Sequence, residues 1–550
     1  MPNEPTATAA SKAKRDALAV VQDYHRRSKH DLQRYAAGPG TLDWDRQPNP
    51  FRHFDGAGQF NFGLHADALN SSYQQLYTPN AIAPLALNAE HLGVFFELSF
   101  ALSAWKQYGT ARWSLRCNPS SGNLHPTEAY AVLLQDLDRL TAGVYHYCSD
   151  DHALEQRCRV TANDSAPGFL LGLSTIAWRE AWKYGERAFR YCQLDTGHAI
   201  ACADYAAACL GWRTQIVSEA TDAQVAALLG LDRRDDFSNA EAETPELLLW
   251  VTTAIPDEDL DLSAITKQAQ QSTWSGQANL LDPHPMYQWP VIDEVTIASE
   301  KTRGDNVAPS TLPTTAHPLP AQAIDMARLI RQRRSAQAYD GQTGIALSDF
   351  MRLLDSLSPH ADQPVWRSWP SPARIQPMFF VHRVEGLTPG LYLQVRDPGR
   401  LAELRAQLNP QFDWQAPGDN ELQTQFEQLG FYHLVSANAQ AAARKYACHQ
   451  DIASHSAFAV AMLAPLHEAI SEAPWQYRQL YWEAGMLGQV MYLEAEASDL
   501  RGTGIGCFFD DAIHQILGIQ DERWQCLYQF TVGGPLNDMR LISLPPYANR

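Results

Sequence analysis

Ile330-Arg331-Gln332-Arg333-Arg334-Ser335 gathers three guanidinium groups and a hydroxyl within six residues. Guanidinium forks match phosphate oxygens bidentately and the serine adds a donor, so the cluster could clamp a phosphate. It could equally be a basic helix end complementing a C-terminal dipole, since Ile324, Ala327, Leu329 and Ile330 give the preceding residues a buried helical face. Arg501-Gly502-Thr503-Gly504-Ile505-Gly506 alternates glycines, which let backbone amides approach a ligand and form an anion-binding concavity. The spacing is not G-x-G-x-x-G and the segment follows a helix, so a dinucleotide fingerprint is excluded while a plain helix C-cap is not. Arg540, beyond an apolar strand and the turn Gly533-Gly534-Pro535, offers one more cation. In Pro119-Ser120-Ser121-Gly122-Asn123-Leu124-His125-Pro126, Ser120 and Asn123 present a hydroxyl and an amide that could pair with a pyrimidine-type ring edge, or simply cap a turn. In Trp182-Lys183-Tyr184-Gly185-Glu186-Arg187, a lysine beside a tyrosine among aromatic rings could relay protons with shifted acidity, although exposed Lys-Tyr neighbours are usually inert.

Other chemistries lack their residues. The sequence has no P-loop, no H-E-x-x-H and no G-x-S-x-G elbow. His467-Glu468 has no second histidine, and His449 and His455 lie six apart without a third ligand, so no metal is expected. Nine cysteines form no CxxC pair and read as reduced thiols. A net charge of −19 argues against nucleic acid and anionic membranes, while leaving room for a local basic pocket. Met1–Arg15 is polar, and apolar runs such as Ala457–Leu466 are far shorter than a membrane span, so a cytoplasmic protein is expected.

The elements that must position these residues occur twice. At 550 residues the chain exceeds one core, because cores stop growing near about 250–300 residues, and two domains are expected. Pro119–Pro126 returns as Pro370–Pro377 at an offset of 251, each followed by an apolar strand-like run. Gly143-Val-Tyr145 is matched by Gly390-Leu-Tyr392 at an offset of 247, each a glycine turn opening a β-rich stretch. Arg190-x4-Asp195-x-Gly197 is matched by Arg478-x4-Glu483-x-Gly485 on a long helix, and Leu229-Gly230-Leu231 by Leu517-Gly518-Ile519, both at 288. The change from 251 to 288 puts about 37 extra residues in the second half, expected in the Gln-rich segment Gln407–Gln428. Ser272–Pro320 is rich in Pro, Ser and Thr and reads as an extended linker, whose Trp274, Tyr287 and Trp289 should lie on the folded surface. The expected division is an arm at 1–55, a first domain at 56–265, the linker at 266–320 and a second domain at 321–550.

Together these residues resemble the nitroreductase superfamily, in particular its azoline dehydrogenase branch, over about residues 90–250 and 321–545. Arg333-Arg334-Ser335-Ala-Gln337-Ala-Tyr339 is similar to the family's Arg-Arg-Ser-x-Arg-x-aromatic phosphate motif, with Gln337 replacing the later basic residue. Arg116-Cys-Asn-Pro119-Ser120-Ser121-Gly122-Asn123-Leu124-His125-Pro126 is similar to that branch's Arg-x-x-Pro-Ser-x-Gly-x-Leu-His-Pro loop, and Lys183-Tyr184 to its Lys-Tyr pair.

The resemblance implies an α+β fold of two fused nitroreductase-like halves, each a mostly antiparallel sheet flanked by helices, forming an intrachain pseudo-dimer. It also implies FMN at the interface between them. The halves have complementary losses. The first keeps the Pro-Ser loop and the Lys-Tyr pair but has Thr214-Gln-Ile-Val217 in place of Gly502-Thr-Gly-Ile505, and no Arg540 counterpart. The second keeps Arg333, Ser335, Gly504, Gly506 and Arg540 but has a degenerate Pro-Ser loop, with Ser471-Glu472 in place of Lys183-Tyr184. One composite FMN site and one vestigial site are therefore expected. The cofactor-binding set would be Pro119, Ser120, Ser121, Gly122, Asn123, Arg333, Arg334, Ser335, Gln337, Gly504, Ile505, Gly506 and Arg540, with Lys183 and Tyr184 catalytic. The implied activity is oxidation of thiazoline or oxazoline rings in a small molecule or modified peptide, alongside a peptide-modifying partner enzyme, by a monomeric pseudo-dimer or a homodimer. An NAD(P)H-dependent nitro or quinone reductase and a flavin-free peptide- or partner-binding scaffold are the alternatives.

Overall fold

Behind each copy of the proline-bounded loop runs a strand buried on both faces. In Thr127–Leu133, Ala129, Ala131 and Leu133 face one apolar cluster while Tyr130 and Val132 face another. In Gln376–Val381, Phe379 and Val381 share that first cluster, whereas Met378 and Phe380 enter a third. Period-two alternation with both faces covered is the pattern of a central strand. The inner cluster is common to both halves and runs from Val21 to Val532, so the halves fold around one shared core.

The computed structural model describes residues 7–162, 167–254, 260–305, 312–313 and 317–547. In chain order the strands are β1 (Phe54–Asp55), β2 (Gly58–Asn61), β3 (Leu102–Tyr108), β4 (Ala111–Arg116), β5 (Thr127–Leu133), β6 (Gly143–Cys148), β7 (Ala153–Arg159), β8 (Gly168–Thr175) and β9 (Arg213–Ile216). They continue as β10 (Thr244–Thr252), β11 (Gln277–Ala278), β12 (Gln376–Val381), β13 (Gly390–Gln394), β14 (Phe431–Ser436), β15 (Phe458–Ala464), β16 (Arg501–Ile505), β17 (Gln525–Gly533) and β18 (Ile542–Leu544). The first large sheet has the order β2-β7-β6-β5-β8-β10-β9 and the second β14-β13-β12-β15-β17-β16. Apart from the extra edge strand β2, the two orders coincide position by position, and the pairings are antiparallel. The duplication read from the sequence offsets is therefore a duplication of topology.

Between the sheets lie two long helices, Ala188–Cys209 and Gln476–Ala497, buried along nearly their whole length, so that the charged residues they carry, such as Arg190, Asp195, Arg478 and Glu483, are held by buried partners. They cross where Gly197 meets the Trp482 carbonyl and Gly485 meets the Leu194 carbonyl, with no space for a Cβ at either glycine. Both contacts obey the 288 offset, so one is the image of the other under a pseudo-two-fold axis, as in an isologous dimer. The same axis relates two buried ion pairs that join the halves, Arg190 to Asp510 at 2.5 Å and Arg478 to Asp222 at 2.8 Å.

The extra length in the second half lies mainly where the sequence placed it. Thirty-six residues, including the helices Leu401–Gln407 and Asn420–Gln428, separate β13 from β14, where four separate β6 from β7. A smaller surplus follows β14 and carries the short helices Gln440–Tyr446 and Asp451–His455.

Ser272–Pro320 departs from the extended reading, because Pro290–Ala298 is helical. Pro290 occupies the first turn, where its missing N–H is harmless, and Val291, Ile292 and Val295 are buried in the shared core. The helix Leu262–Gln271 likewise crosses the expected boundary at 265. Trp274 lies beneath Gly230 and beside the Arg157 and Arg233 guanidinium groups, and the rings of Tyr287 and Trp289 stack at 5.9 Å.

Both chain ends tie the halves together. His25, in the helix Ala7–Arg27, hydrogen-bonds Tyr477 and Gln525 of the second half. Strand β18 crosses over to pair with β3, extending the β3–β4 hairpin of the first half. None of the helices in the described residues is long and apolar enough to cross a membrane.

Candidate functional site

One cavity of about 670 Å³ opens between the halves. Its wall takes Pro119–Asn123, Tyr184, Tyr191 and Asp195 from the first half, and Arg333–Gln337, Thr503–Cys507, Tyr492 and Tyr528 from the second. Among the candidates from the sequence, Pro119, Ser120, Ser121, Gly122, Asn123, Tyr184, Arg333, Arg334, Ser335, Gln337, Gly504, Ile505 and Gly506 all line it.

The loop is held from behind by the long helix. Asp195 accepts hydrogen bonds from the Ser121 backbone N–H at 3.0 Å and from its hydroxyl at 2.9 Å. Burial pushes the Asp195 carboxyl up to about 7, against the lowering effect of the serine donors. Ser120 Oγ accepts from the His125 N–H at 2.8 Å. The Asn123 amide, expected to face a ligand ring, instead braces the loop. Its Nδ2 donates to the Ser114 carbonyl at 2.8 Å, and its Oδ1 lies 3.1 Å from His125 Nε2. Gly122 has φ +58°, and a Cβ there would strike the Tyr184 hydroxyl and the Lys183 ammonium, so glycine is required on two counts.

Lys183 itself is not in the cavity wall but stands directly behind Gly122. Its ammonium lies 5.3 Å from the Trp44 ring and 5.2 Å from the Tyr184 ring, so the N-terminal arm brackets the pair. Burial lowers the lysine's affinity for its proton and raises the tyrosine's. Tyr184 is thereby fixed as a neutral donor, and Lys183 is moved toward the range of a usable base.

On the opposite wall Arg333 follows the helix Met326–Gln332 and is 4% exposed, with its Nε lacking a hydrogen-bond partner. Its remaining contacts are weak: Nη2 lies 3.4 Å from the Arg116 carbonyl, and the group sits 4.8 Å over the Tyr492 ring. Arg334 differs, since its fork donates to the carbonyls of Arg331, Arg333 and Ser103 and so anchors the turn. Burial and the adjacent Arg333 charge push the Arg334 guanidinium down to about 10. Lys106 is shifted down in the same direction by burial, Arg334 and Arg501. Glu496 balances part of this positive charge, pairing with Arg501 at 3.7 Å, and the unpartnered Arg333 Nε leaves a buried donor suited to an anion.

The glycine segment is a strand, not a helix cap or loop. Residues Arg501–Ile505 form edge strand β16, and Gly504 and Gly506 make room for rings rather than for a left-handed backbone. A Cβ on Gly504 would collide with the Tyr528 hydroxyl and one on Gly506 with the Tyr191 ring. The Gly504 N–H donates to Tyr492 Oη at 3.1 Å, and that oxygen lies 2.8 Å from Ser335 Oγ. Tyr492 can therefore donate onward to Ser335, leaving the serine hydrogen for a ligand.

Arg540 is not brought to the cavity. Its side chain is 71% exposed, pairs with Asp538 at 2.7 Å and lies over the Tyr108 ring. Lys106 and Arg501 line the cavity instead. The sequence reading missed Lys106, Tyr191, Tyr492 and Tyr528. Only for Tyr191 was a signal available, one residue after the repeated Arg190.

The pseudo-two-fold counterpart of this cavity is filled. Ile216, Val217 and Ser218 stand where Gly504, Ile505 and Gly506 stand, and with Pro370, Trp475 and Trp482 they leave about 20 Å³. Side chains replace the two glycines, and Trp475 and Trp482 replace Arg187 and Leu194.

Residues 330–534 match the family model described as Nitroreductase family. The chain is similar to a putative nitroreductase from Anabaena variabilis, with a TM-score of 0.66 at 21% identity over 94% of this chain and 99% of that one, which shows a nitroreductase-like fold. A putative nitroreductase from Ralstonia eutropha matches with a TM-score of 0.27 at 16% identity, over 42% of this chain and 90% of that one. The Escherichia coli microcin synthetase McbBCD complex with truncated pro-MccB17 bound matches with a TM-score of 0.27 at 19% identity, over 47% of this chain and 100% of that one. No curated protein matches the chain.

Proposed function

We propose that this chain is an FMN-dependent oxidoreductase with one composite flavin site per polypeptide, and that it oxidises thiazoline or oxazoline rings in a modified peptide or related small molecule. The observation that carries the reading is the convergence of Arg333, Ser335 and the β16 glycines from one half with the Pro119–Asn123 loop and Tyr184 from the other around a single cavity. The residues present fit FMN. The unpartnered Arg333 Nε and the crowded cations suit a phosphate, and Gly504 and Gly506 let the Tyr528 and Tyr191 rings close in as an aromatic wall of the cavity.

In this reading Arg333 and Ser335 hold the phosphate, with Arg334 fixing the turn that presents them. The Pro119–Gly122 backbone and the β16 edge orient the ring system. Bound there, FMN would supply the two-electron acceptor. Lys183 and Tyr184, poised behind Gly122, would hold or take the proton that leaves the substrate ring.

The substrate assignment rests on the Lys-Tyr pair and is tested by turnover. An azoline-containing peptide should yield its aromatic azole with one hydrogen peroxide per ring, dioxygen serving as terminal acceptor. Rapid NAD(P)H oxidation with nitro or quinone acceptors, and no azole formed, would overturn the substrate class while leaving the flavin site standing. A colourless protein that stays colourless after FMN addition would instead favour the flavin-free scaffold.

A further inference from the structure

Seven of the nine cysteines are buried, and the two that are not, Cys448 and Cys507, lie on adjacent segments, where the Phe509 N–H donates to the Tyr446 carbonyl at 2.9 Å and Gln450 Nε2 to the Cys507 carbonyl at 3.0 Å. The two segments are distant in sequence. Cys507 follows Gly506 directly after β16 and lines the cavity, whereas Cys448 lies between the helices Gln440–Tyr446 and Asp451–His455. We propose that Cys507 and Cys448 form a second reactive centre, a thiol pair at the cavity wall that exchanges reversibly with small-molecule disulfides. This centre does not depend on bound flavin.

The surroundings favour a thiolate on Cys507. His30 Nδ1 accepts the Ala36 N–H at 2.8 Å, which leaves the proton on Nε2, and His30 also hydrogen-bonds Cys507. Burial keeps that imidazole neutral, so it acts as a fixed N–H donor to the sulfur. His30 is held in place by hydrogen bonds between its backbone and Asp510.

The other charged and titratable groups facing Cys507 are Arg187, Tyr184 and Tyr191 from the first half and Tyr35 of the arm. Tyr35 also faces Cys448. Arg187 is already paired with Asp510 at 2.9 Å, so the hydrogen bonds from Cys448 and His30 do most to lower the Cys507 thiol below its ordinary range. The hydrogen bond with Cys507 and then burial raise Cys448, while Cys117 and Cys158 are raised by burial to about 11.

The backbone at Cys448 is also unusual. Cys448 and His449 have φ of +50° and +61°, two consecutive non-glycine residues in the left-handed region. Strain of this kind persists where the surrounding structure imposes it and gathers at functional sites.

The exchange balances in two steps. Cys507 Sγ, as thiolate, attacks one sulfur of a small disulfide, whose S–S bond breaks and releases one thiolate. Cys448 then gives up its proton to solvent or to that thiolate, and its sulfur displaces the second small thiol from Cys507. The protein dithiol is oxidised to a disulfide and the small disulfide is reduced to two thiols. Closure brings the two sulfurs to about 2.05 Å across segments already joined by the Phe509–Tyr446 and Gln450–Cys507 hydrogen bonds. The bridge would tie the end of β16 to the Cys448 turn and so stiffen one wall of the cavity.

Alkylation and exchange on the full-length protein test this directly. Near about pH 6.5, iodoacetamide should label Cys507 roughly tenfold faster than a free cysteine, which is only a few per cent thiolate at neutral pH. Oxidised glutathione should produce a Cys448–Cys507 bridge, seen by peptide mapping and reversed by dithiothreitol. In Cys448→Ser, the glutathione adduct should instead accumulate on Cys507. Ordinary labelling of Cys507, or glutathione treatment that leaves both thiols free or stops at a mixed disulfide in the unmodified chain, would overturn the proposal.

Discussion

Arg333→Ala should lose FMN affinity by roughly 10- to 150-fold, the equivalent of about 1.5–3 kcal/mol for hydrogen bonds to a charged group. The apo-protein should melt no lower than the unmodified chain. The two expectations follow from the same geometry. Without a ligand the Arg333 guanidinium is buried beside Arg334 with its Nε unpartnered, so its removal relieves like-charge crowding and breaks no strong network. A structural basic helix end would behave oppositely, destabilising the fold when truncated and sparing flavin. Titration of the apo-variant with FMN, followed by fluorescence quenching beside a thermal melt, separates the two cases.

The double variant Lys183→Met with Tyr184→Phe should retain FMN and lose about 10²- to 10⁴-fold in turnover, the usual contribution of a positioned proton donor or acceptor. Both replacements keep apolar bulk. Methionine preserves the stem beside Trp44, and phenylalanine preserves the edge contact with Tyr191 at 4.5 Å. Burial lowers the Lys183 proton affinity, so a base that works as the neutral amine should give a rate that rises with pH along a limb below the lysine's ordinary value of about 10.4. That limb should vanish in Lys183→Met. Flavin lost along with activity would mean that the pair only supports the loop at Gly122, and turnover surviving the double change would remove both residues from the chemistry.

Much of this arrangement is legible in the sequence because duplication leaves local marks. The 288 offset linking Arg190 to Arg478, Asp195 to Glu483 and Gly197 to Gly485 reflects helix positions fixed by a pseudo-two-fold contact, where only glycine allows the backbones to meet. Asp222 and Asp510 obey the same offset and complete the two buried ion pairs, although that relation emerges only when the arginines are seen to cross between halves.

The failures are long-range. Alternating glycines in Gly502–Gly506 read as a ligand loop, yet they form an edge strand thinned for the Tyr191 and Tyr528 rings, which lie far away in sequence. Arg540 carries the right charge, but its neighbour Asp538 neutralises it on an exposed turn. The helix Pro290–Ala298 was obscured by surrounding Pro and Ser, because its stability comes from three residues packed on the shared core rather than from local propensity. The Asn123 amide reads from the sequence as facing outward, but its partners Ser114 and His125 show that a backbone at φ +61° needs that side chain for itself.

The filled counterpart cavity turns the complementary losses of the two halves into a stoichiometry. About 670 Å³ is open on one side of the pseudo-two-fold axis and about 20 Å³ on the other. The most direct measurement is the flavin-to-polypeptide ratio of the FMN-saturated protein, taken from flavin absorbance after denaturation and from amino-acid analysis. One FMN per chain is the predicted result. Two tightly held FMN molecules per chain, or none after saturation, would contradict a single composite site.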